Sequence, residues 1–372
     1  MTHPSLHDHS LRVILDNQQP AGGYLACPTM PDYRYSWFRD GAFIAYALTL
    51  DGLNQAAPSE SSQWHSAARF HDWCAQMIND RAEALERTID RAQQGQPLVL
   101  ADTLNARYED GGEAGPDDWP EFQLDGPAIW LWSVAQYVDI SQIVPLPSGW
   151  AQAIELTVSY LSAVWQHPCY DCWEERSDDV HISTLAAIYA GLGAAQRLIP
   201  TLQTEPTRTA IHAFIMEKGL TPSGELAKSV GLDGVDANLL LVALPVDGLL
   251  APDDPLMQST VARIERDLLA EGHGVHRHLE DTYYGGGPWV LLGLWLAWYK
   301  TQVGDNVAAQ ELLSWAQSHA DEQGNLPEQV NDVMLAPSYY EYWVARRGEI
   351  ANPLLWTHAK YLIVLHALQQ TD

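Results

Sequence analysis

The sequence predicts an all-α fold, a closed double ring of helical hairpins, on three observations. About twelve segments carry helical periodicity or helix punctuation. No run of alternating apolar and polar residues is long enough to suggest a substantial strand. The connections also differ in kind: some are tight, and others are long and rich in Gly, Pro, Asp and aromatic residues. The long ones fall before alternate helices over much of the chain, as a ring of hairpins requires, with tight turns on one face and elaborate loops on the other. Long ordered loops in compact domains usually carry function, so a single α/α barrel over residues 1–372 is expected, with its pocket on the long-loop face. An irregular helical bundle is the alternative.

The elements follow in order. Residues 6–17 read as a short first helix, and residues 41–50 as a second after the loop 18–39. Residues 59–94 read as one long helix, with Trp64, Ala67, Ala68, Phe70 and Trp73 on a repeating face. Helices are then expected at 128–140, 150–166, 183–198, 206–216, 236–244, 255–270, 289–301, 306–320 and 354–368. The long loops are 18–39, 98–126, 169–181, 271–288 and 322–353, and no short sequence repeat points to a solenoid.

Composition narrows the function. The chain has 372 residues, 47% hydrophobic and only 18% charged, enough to build a large core and too apolar for disorder. Its formal charge of −28 argues against nucleic acid or an anionic membrane as partner, since phosphate binding needs clustered Lys and Arg. The longest apolar run, residues 289–299, is far short of the ~20 residues that span a bilayer. No basic n-region precedes an apolar stretch at the start, so a cytoplasmic location is expected. Four cysteines make no disulfide framework; Cys169 and Cys172 have C-x-x-C spacing, but no second pair accompanies them, and buried thiols are the expected reading. The 15 Trp and 16 Tyr outnumber 5 Phe, and rings with a flat apolar face and a polar edge suit sugar clefts as well as cores.

Five loops hold the candidate chemistry. The segment 31–41 places aromatic rings beside Arg39 and Asp40 at a helix start, where Asp40 is either an N-cap or part of a hydroxyl clamp. Segment 119–127 contains Trp119, Glu121 and Asp125, the last an N-cap by default. Trp173-Glu174-Glu175 sets two carboxylates beside an apolar wall, which raises a carboxyl pKa and suits a general acid. Segment 277–289 has Arg277, Glu280 and Asp281 beside Tyr283, Tyr284 and Trp289, with three glycines that permit close backbone approach. It matches neither a P-loop nor a dinucleotide fingerprint. Segment 324–329 offers Glu328 behind a proline. No G-x-S-x-G or H-E-x-x-H is present, so neither a nucleophile elbow nor a metal site is expected. Two carboxylates acting on a glycosidic bond use this inventory without a cofactor.

Taken together, Tyr-x-Tyr-x-Trp-x-Arg-Asp (33–40), Gln-x-Asp-Gly-Pro-Ala (123–128), Trp-Glu-Glu (173–175), Arg-x-x-Glu-Asp-Thr-Tyr-Tyr-x-Gly-x-Pro-Trp (277–289), Leu-Pro-Glu-Gln (326–329) and Pro-Leu-x-Trp-x-His-Ala (353–359) resemble glycoside hydrolase family 15, the glucoamylase family. Each motif is weak alone, and the set is specific and runs in the family's order over nearly the whole chain. The resemblance implies an (α/α)6 barrel and an inverting, exo-acting hydrolase that releases β-glucose from the non-reducing end of an α-glucoside.

It also implies roles. Glu174 looks like the general acid and Glu328 like the general base, on opposite faces of the sugar, roughly 6.5–9.5 Å apart. Their environments should push their pKa values apart, Glu174 protonated and Glu328 ionised at working pH. Arg39 and Asp40 look like the clamp on the terminal glucose, Arg277 like a second clamp, and Glu175 like a partner of the leaving sugar. Trp119, Trp173, Tyr283 and Trp289 look like sugar-facing rings. Tyr33 takes the place of a hydroxyl beside the reacting carbon, Trp37 walls the pocket, and the Cys172 carbonyl is expected to accept from the sugar.

Many members of that family carry an additional β-sandwich or starch-binding module, and neither is expected within these 372 residues. Within the family it resembles the compact enzymes that cut isomaltose and short α-1,6-glucans. A maltose-cleaving glucoamylase, a trehalase of the same family and a non-catalytic sugar-binding barrel are the alternatives. The expected partner is a small oligosaccharide.

Overall fold

The computed structural model describes residues 5–116, 118–244, 246–272 and 274–370. Helices alternate between an outer and an inner position along the chain. Outer α1 (Leu6–Asp16) precedes inner α2 (Phe38–Gly52), and outer α3 (Ser62–Asp80), continued by α4 (Ala82–Gln93), precedes inner α5 (Asp125–Ser141). The pairs α6 (Ser148–Val164) with α7 (Ile182–Leu198), and α8 (Glu205–Lys218) with the 3-10 helix Ala237–Ala243, follow. Next come α9 (Pro255–Leu268), α10 (Val290–Gln302), α11 (Asn306–Ser318), the short α12 (Tyr340–Arg347) and α13 (Leu355–Gln369). The inner elements α2, α5, α7, Ala237–Ala243, α10 and α13 pack in sequence, and α13 closes on α2. The result is the (α/α)6 barrel.

Side-chain pattern separates the two rings. Every residue of α2 is buried, as is every residue of α10 from Val290 to Tyr299, so these helices are enclosed on all sides, and the charges of α2 lie at its ends, in Arg39, Asp40 and Asp51. An outer helix has one buried stripe; α9 buries Met257, Thr260, Val261, Ile264 and Leu268 at helical spacing. It starts where Asp254 accepts from the Leu256 amide at 2.8 Å and Pro255 takes the first helical position. At Gly191 a β-carbon would stand 2.4 Å from the Ala128 carbonyl oxygen, so glycine lets α7 press against α5. Inside the ring, Lys360 is fully buried with its ammonium 3.7 Å from the Phe43 ring centre and 3.9 Å from that of Trp295. Burial pulls its pKa well below the usual lysine value.

The structure corrects four sequence expectations. The long helix expected over 59–94 breaks at Arg81, where φ −102° and ψ 11° leave helical space. The helix expected over 236–244 is a 3-10 helix, Ala237–Ala243, begun by the Asp236 carboxylate on the Asn238 amide. The loop expected over 322–353 contains α12, whose 8 residues half-bury, of the apolar ones, only Tyr340, Trp343 and Val344, a stripe of little more than one turn. Neither Asp40 nor Asp125 is an N-cap: α2 and α5 are preceded by Trp37 and Leu124, and both carboxylates lie in the first turn. A two-residue strand pair, Ser36–Trp37 with Arg107–Tyr108, stitches two long loops together.

Every connection from an outer to an inner helix is long: 17–37, 94–124, 165–181, 219–236, 269–289 and 319–354. The segment 219–236 had not been singled out from the sequence. The starts of the inner elements therefore gather on one face under all the elaborate loops, and the pocket lies there. No helix among the described residues is long and apolar enough to cross a membrane.

Candidate active site

The thirteen residues to which the resemblance gives a role line one pocket of about 190 Å³: Tyr33, Trp37, Arg39, Asp40, Trp119, Cys172, Trp173, Glu174, Glu175, Arg277, Tyr283, Trp289 and Glu328; Glu121, Asp125, Glu280, Asp281 and Tyr284, also singled out from the loops, do not line it. It is a small-molecule cavity with aromatic walls and a few convergent charges.

The first wall comes from the entry into α2. Arg39 extends one guanidinium nitrogen to Gln123 Oε1 at 2.9 Å and Asp125 Oδ2 at 3.1 Å. Its Nε lies 3.4 Å from Asp40 Oδ2 and, like that oxygen, has no hydrogen-bond partner. Buried polar atoms left open inside a cavity are available to a ligand's hydroxyls. Burial raises the Asp40 pKa to about 6 against the pull of Arg39, with Glu174 adding to the rise.

The second wall is the turn 171–175. Asp171 Oδ1 accepts from the Trp173 and Glu175 amides at 2.9 and 3.0 Å. Glu174 sits at φ 66°, a left-handed conformation uncommon outside glycine and costly enough to mark functional sites. Its Oε1 accepts from Trp37 Nε1 at 2.9 Å, which orients the carboxyl. Glu175 turns away to Arg277 at 3.0 Å and His278 at 3.0 Å. Burial would raise the Glu175 pKa, but Arg277, His278 and Lys228 outweigh it and hold the carboxylate far below its ordinary range. The four cysteine thiols are free, and Cys172 Sγ accepts from Asn238 Nδ2 at 3.4 Å.

The third wall joins two loops. Residues 285–289 run beside 328–336: Val330 N donates to the Pro288 carbonyl at 3.0 Å and Val290 N to the Glu328 carbonyl at 3.0 Å. A β-carbon at Gly287 would stand 1.9 Å from the Val330 carbonyl oxygen, so only glycine allows this approach. The Glu328 carbonyl thereby satisfies an orphan amide at the start of α10. Leu326 N donates to His358 Nε2 at 3.0 Å, and His358 Nδ1 faces Ser10 Oγ at 2.9 Å. That buried histidine, pushed down to about 3 by burial, is neutral and pins the Glu328 loop from below. Arg277 forks onto Asp281 at 2.8 and 2.5 Å and lies 5.1 Å over the Trp289 ring.

Glu328 is 4% exposed, and its Oε2 has no partner. Burial pushes its pKa up to about 8; Arg277, Tyr33 and Gln329 pull it down, and Asp40 adds to the rise. This runs against the expectation that the environment favours an ionised Glu328, because loss of water outweighs the cationic neighbour. The Tyr33 phenol feels both carboxyls and meets the Tyr283 hydroxyl at 3.0 Å.

Four contributors were missed. Lys228 and Asp236 come from the segment 219–236. Asp236 accepts from Trp173 Nε1 at 2.9 Å, and Lys228 lies 3.1 Å from Asp236, 3.7 Å from Glu175 and 3.9 Å from Asp171. Trp343 and Arg347 of α12 line the pocket mouth. The Tyr-Glu-Tyr-Trp run at 340–343 was a usable aromatic signal. Among the described residues, no group of three or more His, Cys, Asp or Glu is placed to hold a metal ion.

A family model described as glycosyl hydrolases family 15 matches residues 6–305. The isomaltose glucohydrolase of Kribbella flavida is 37% identical over 372 residues, covering 97% of this chain and 91% of that protein. A glycosidase variant solved in complex with glucose superimposes with a TM-score of 0.90 at 35% identity, over 98% of this chain and 96% of that one. The glucoamylase from Saccharomycopsis fibuligera shares the fold, with a TM-score of 0.74 at 15% identity over 98% and 94% of the two chains.

Proposed function

The chain belongs to glycosyl hydrolases family 15 and is a glucoamylase-type glycosidase, and from that premise we propose that it removes β-glucose from the non-reducing end of isomaltose and short α-1,6-glucans by inversion. The observation that carries the reading is the pairing of two glutamates in one aromatic pocket with open arginine and aspartate atoms: Glu174 held by Trp37, and Glu328 buried with one oxygen unpartnered. The name of the Kribbella flavida relative supports the linkage.

In the mechanism, Arg39, Asp40 and Arg277 take the hydroxyls of the terminal glucose and set its reacting carbon between the two carboxyls. Glu174 gives its proton to the glycosidic oxygen as the carbon–oxygen bond breaks. Glu328 takes a proton from water, and the water oxygen bonds to the opposite face of the sugar. The developing positive charge is met by ionised Glu328 and by the Tyr33 and Tyr283 hydroxyl oxygens. Lys228 and Asp236 act as positioning residues that hold the 171–175 turn. The residues from 1 to 372 act as a single catalytic domain in this reading.

The buried base sets a pH dependence. A carboxyl raised to about 8 stays protonated below that pH and cannot accept from water, so kcat/KM falls as pH drops through this range. The acid limb of kcat/KM against pH is expected well above the ordinary glutamate value of about 4.3. A limb at that ordinary value would show that burial does not govern Glu328.

Time-resolved proton NMR of isomaltose, maltose and trehalose digestion tests the function. Early β-glucose, fastest from isomaltose, is the expected result. Early α-glucose would overturn inversion, faster release from maltose or trehalose would overturn the linkage, and no glucose from any of the three would overturn hydrolysis of these sugars.

A further inference from the structure

We propose that the outer helix α1 braces the loop that carries Glu328, with His9 and Ser10 as positioning residues for the general base. The inference rests on the reading of Glu328 as that base. It concerns what holds the carboxyl in place, and none of the motifs that line the pocket lies in α1.

Two hydrogen-bond paths run from α1 to the loop. In the first, His9 Nε2 meets Asn325 Oδ1 at 2.9 Å. The Asp321 carboxylate accepts from Asn325 Nδ2 at 3.0 Å, which turns Oδ1 toward His9 and makes His9 Nε2 the donor. Asp321 also accepts from the Gln323 and Asn325 amides at 2.8 and 2.9 Å, closing the turn on which His9 acts. A β-carbon at Gly324 would stand 3.1 Å from His9 Cδ2, so the imidazole packs directly on that turn. In the second path, Leu326 N donates to His358 Nε2, and His358 Nδ1 lies 2.9 Å from Ser10 Oγ, 348 positions away in sequence. An amide can only donate, so Nε2 accepts, Nδ1 carries the proton and Ser10 Oγ receives it.

Ser10, Leu326 and His358 are fully buried, so each polar group in the second path depends on the next. Without the Ser10 hydroxyl the imidazole proton loses its acceptor. The ring then gains by turning or by changing tautomer, and either withdraws the acceptor from Leu326 N. Burial keeps His358 neutral, pushed down to about 3, so Nε2 stays an acceptor at any pH well above that value. The two anchored residues, Asn325 and Leu326, stand just before Glu328, with Pro327 and its fixed φ between. Leu354 N donates to the Leu326 carbonyl at 3.0 Å and Glu328 N to the Ala351 carbonyl at 2.9 Å. The loop is therefore held from the start of α13 and from α1 together, and α1 itself packs on α13. A shift of Leu326 passes to Glu328 with little slack.

Kinetics of Ser10→Ala and His9→Phe on isomaltose test the brace. His9→Phe keeps a ring against Gly324 and loses the donor. His9 is half-buried, so this variant stays readable even if Ser10→Ala weakens the fold. Each is expected to lower kcat by about tenfold or more while KM moves less than about threefold, because a displaced base harms the transition state more than sugar binding. A loosened loop also admits water to Glu328, whose pKa is raised by burial, so the acid limb of kcat/KM should move down by about one pH unit or more. Ser10→Thr keeps the hydroxyl and should restore both. A lowered urea midpoint with the acid limb unmoved would leave α1 a structural helix and overturn the proposal, as would kcat unchanged in both variants. Glu328→Gln, assayed alongside, keeps the two readings apart. If it loses activity while Ser10→Ala and His9→Phe do not, the brace alone fails. If Glu328→Gln keeps its rate, the base assignment fails and the brace with it.

Discussion

Replacing Glu328 with glutamine is expected to lower kcat on isomaltose by about 10²–10⁴-fold, and replacing Glu174 to do the same, because each would remove one half of the proposed acid–base pair. The two losses differ in kind. Glu174→Gln keeps an oxygen for the Trp37 Nε1 donor, so the 171–175 turn should hold its shape. On a glucosyl fluoride or nitrophenyl glucoside, whose leaving group departs without a proton, Glu174→Gln should recover most of the rate. Glu328→Gln should recover none, since water still lacks its base. Steady-state kinetics on the two substrate classes decides the assignment. Equal loss on both classes for Glu174→Gln would show that Glu174 is not the acid. Glu328→Gln also places an amide where Glu328 Oε2 has no partner. An unsatisfied buried group costs about 1–3 kcal/mol, so a urea melt of this variant belongs beside the kinetics.

Arg277→Met is the substitution expected to damage stability and activity together. Arg277 is 3% exposed, forks onto Asp281, itself 1% exposed, and bonds Glu175. Taking it away strands a buried carboxylate, which typically costs about 3–5 kcal/mol. Glu175 is partly exposed and adds less. Arg277 also pulls the Glu328 pKa down, so its loss should move the acid limb of kcat/KM further upward. With its proposed role as a sugar clamp lost as well, kcat/KM should fall by about 10² or more. Arg277→Lys keeps the charge and loses the planar fork, so it should fall between the two in stability and rate. An unmoved acid limb and an unchanged urea midpoint in Arg277→Met would remove Arg277 from the electrostatics of the pocket.

Much of the pocket was legible because its residues sit in dense motifs. Tyr33, Trp37, Arg39 and Asp40 fall within eight positions, and Trp173, Glu174 and Glu175 are adjacent. Lys228 and Asp236 were not legible, because they stand among ordinary loop residues and gain meaning only when folding brings them beneath Trp173 and Glu175. His358 could be quoted as part of a motif, but its place under Leu326 could not be read from it. Trp343 and Arg347 were hidden for another reason. The helix α12 has 8 residues and, of its apolar ones, half-buries only Tyr340, Trp343 and Val344, so its apolar period spans barely one turn.

What the sequence by itself determined was much of the alternation of helix and loop, thirteen of the residues that line the pocket, and the family. Apolar periodicity and motif composition are local properties, and they survive reading one residue after another. The tertiary structure decided three things. It closed the ring, α13 against α2. It set the ionisation of Glu328, because exclusion of water depends on every loop that covers the carboxyl and is written in none of them. It also joined Asp32 to Arg347 across the mouth. Each is a long-range effect, arising from surfaces that meet only after the chain has folded.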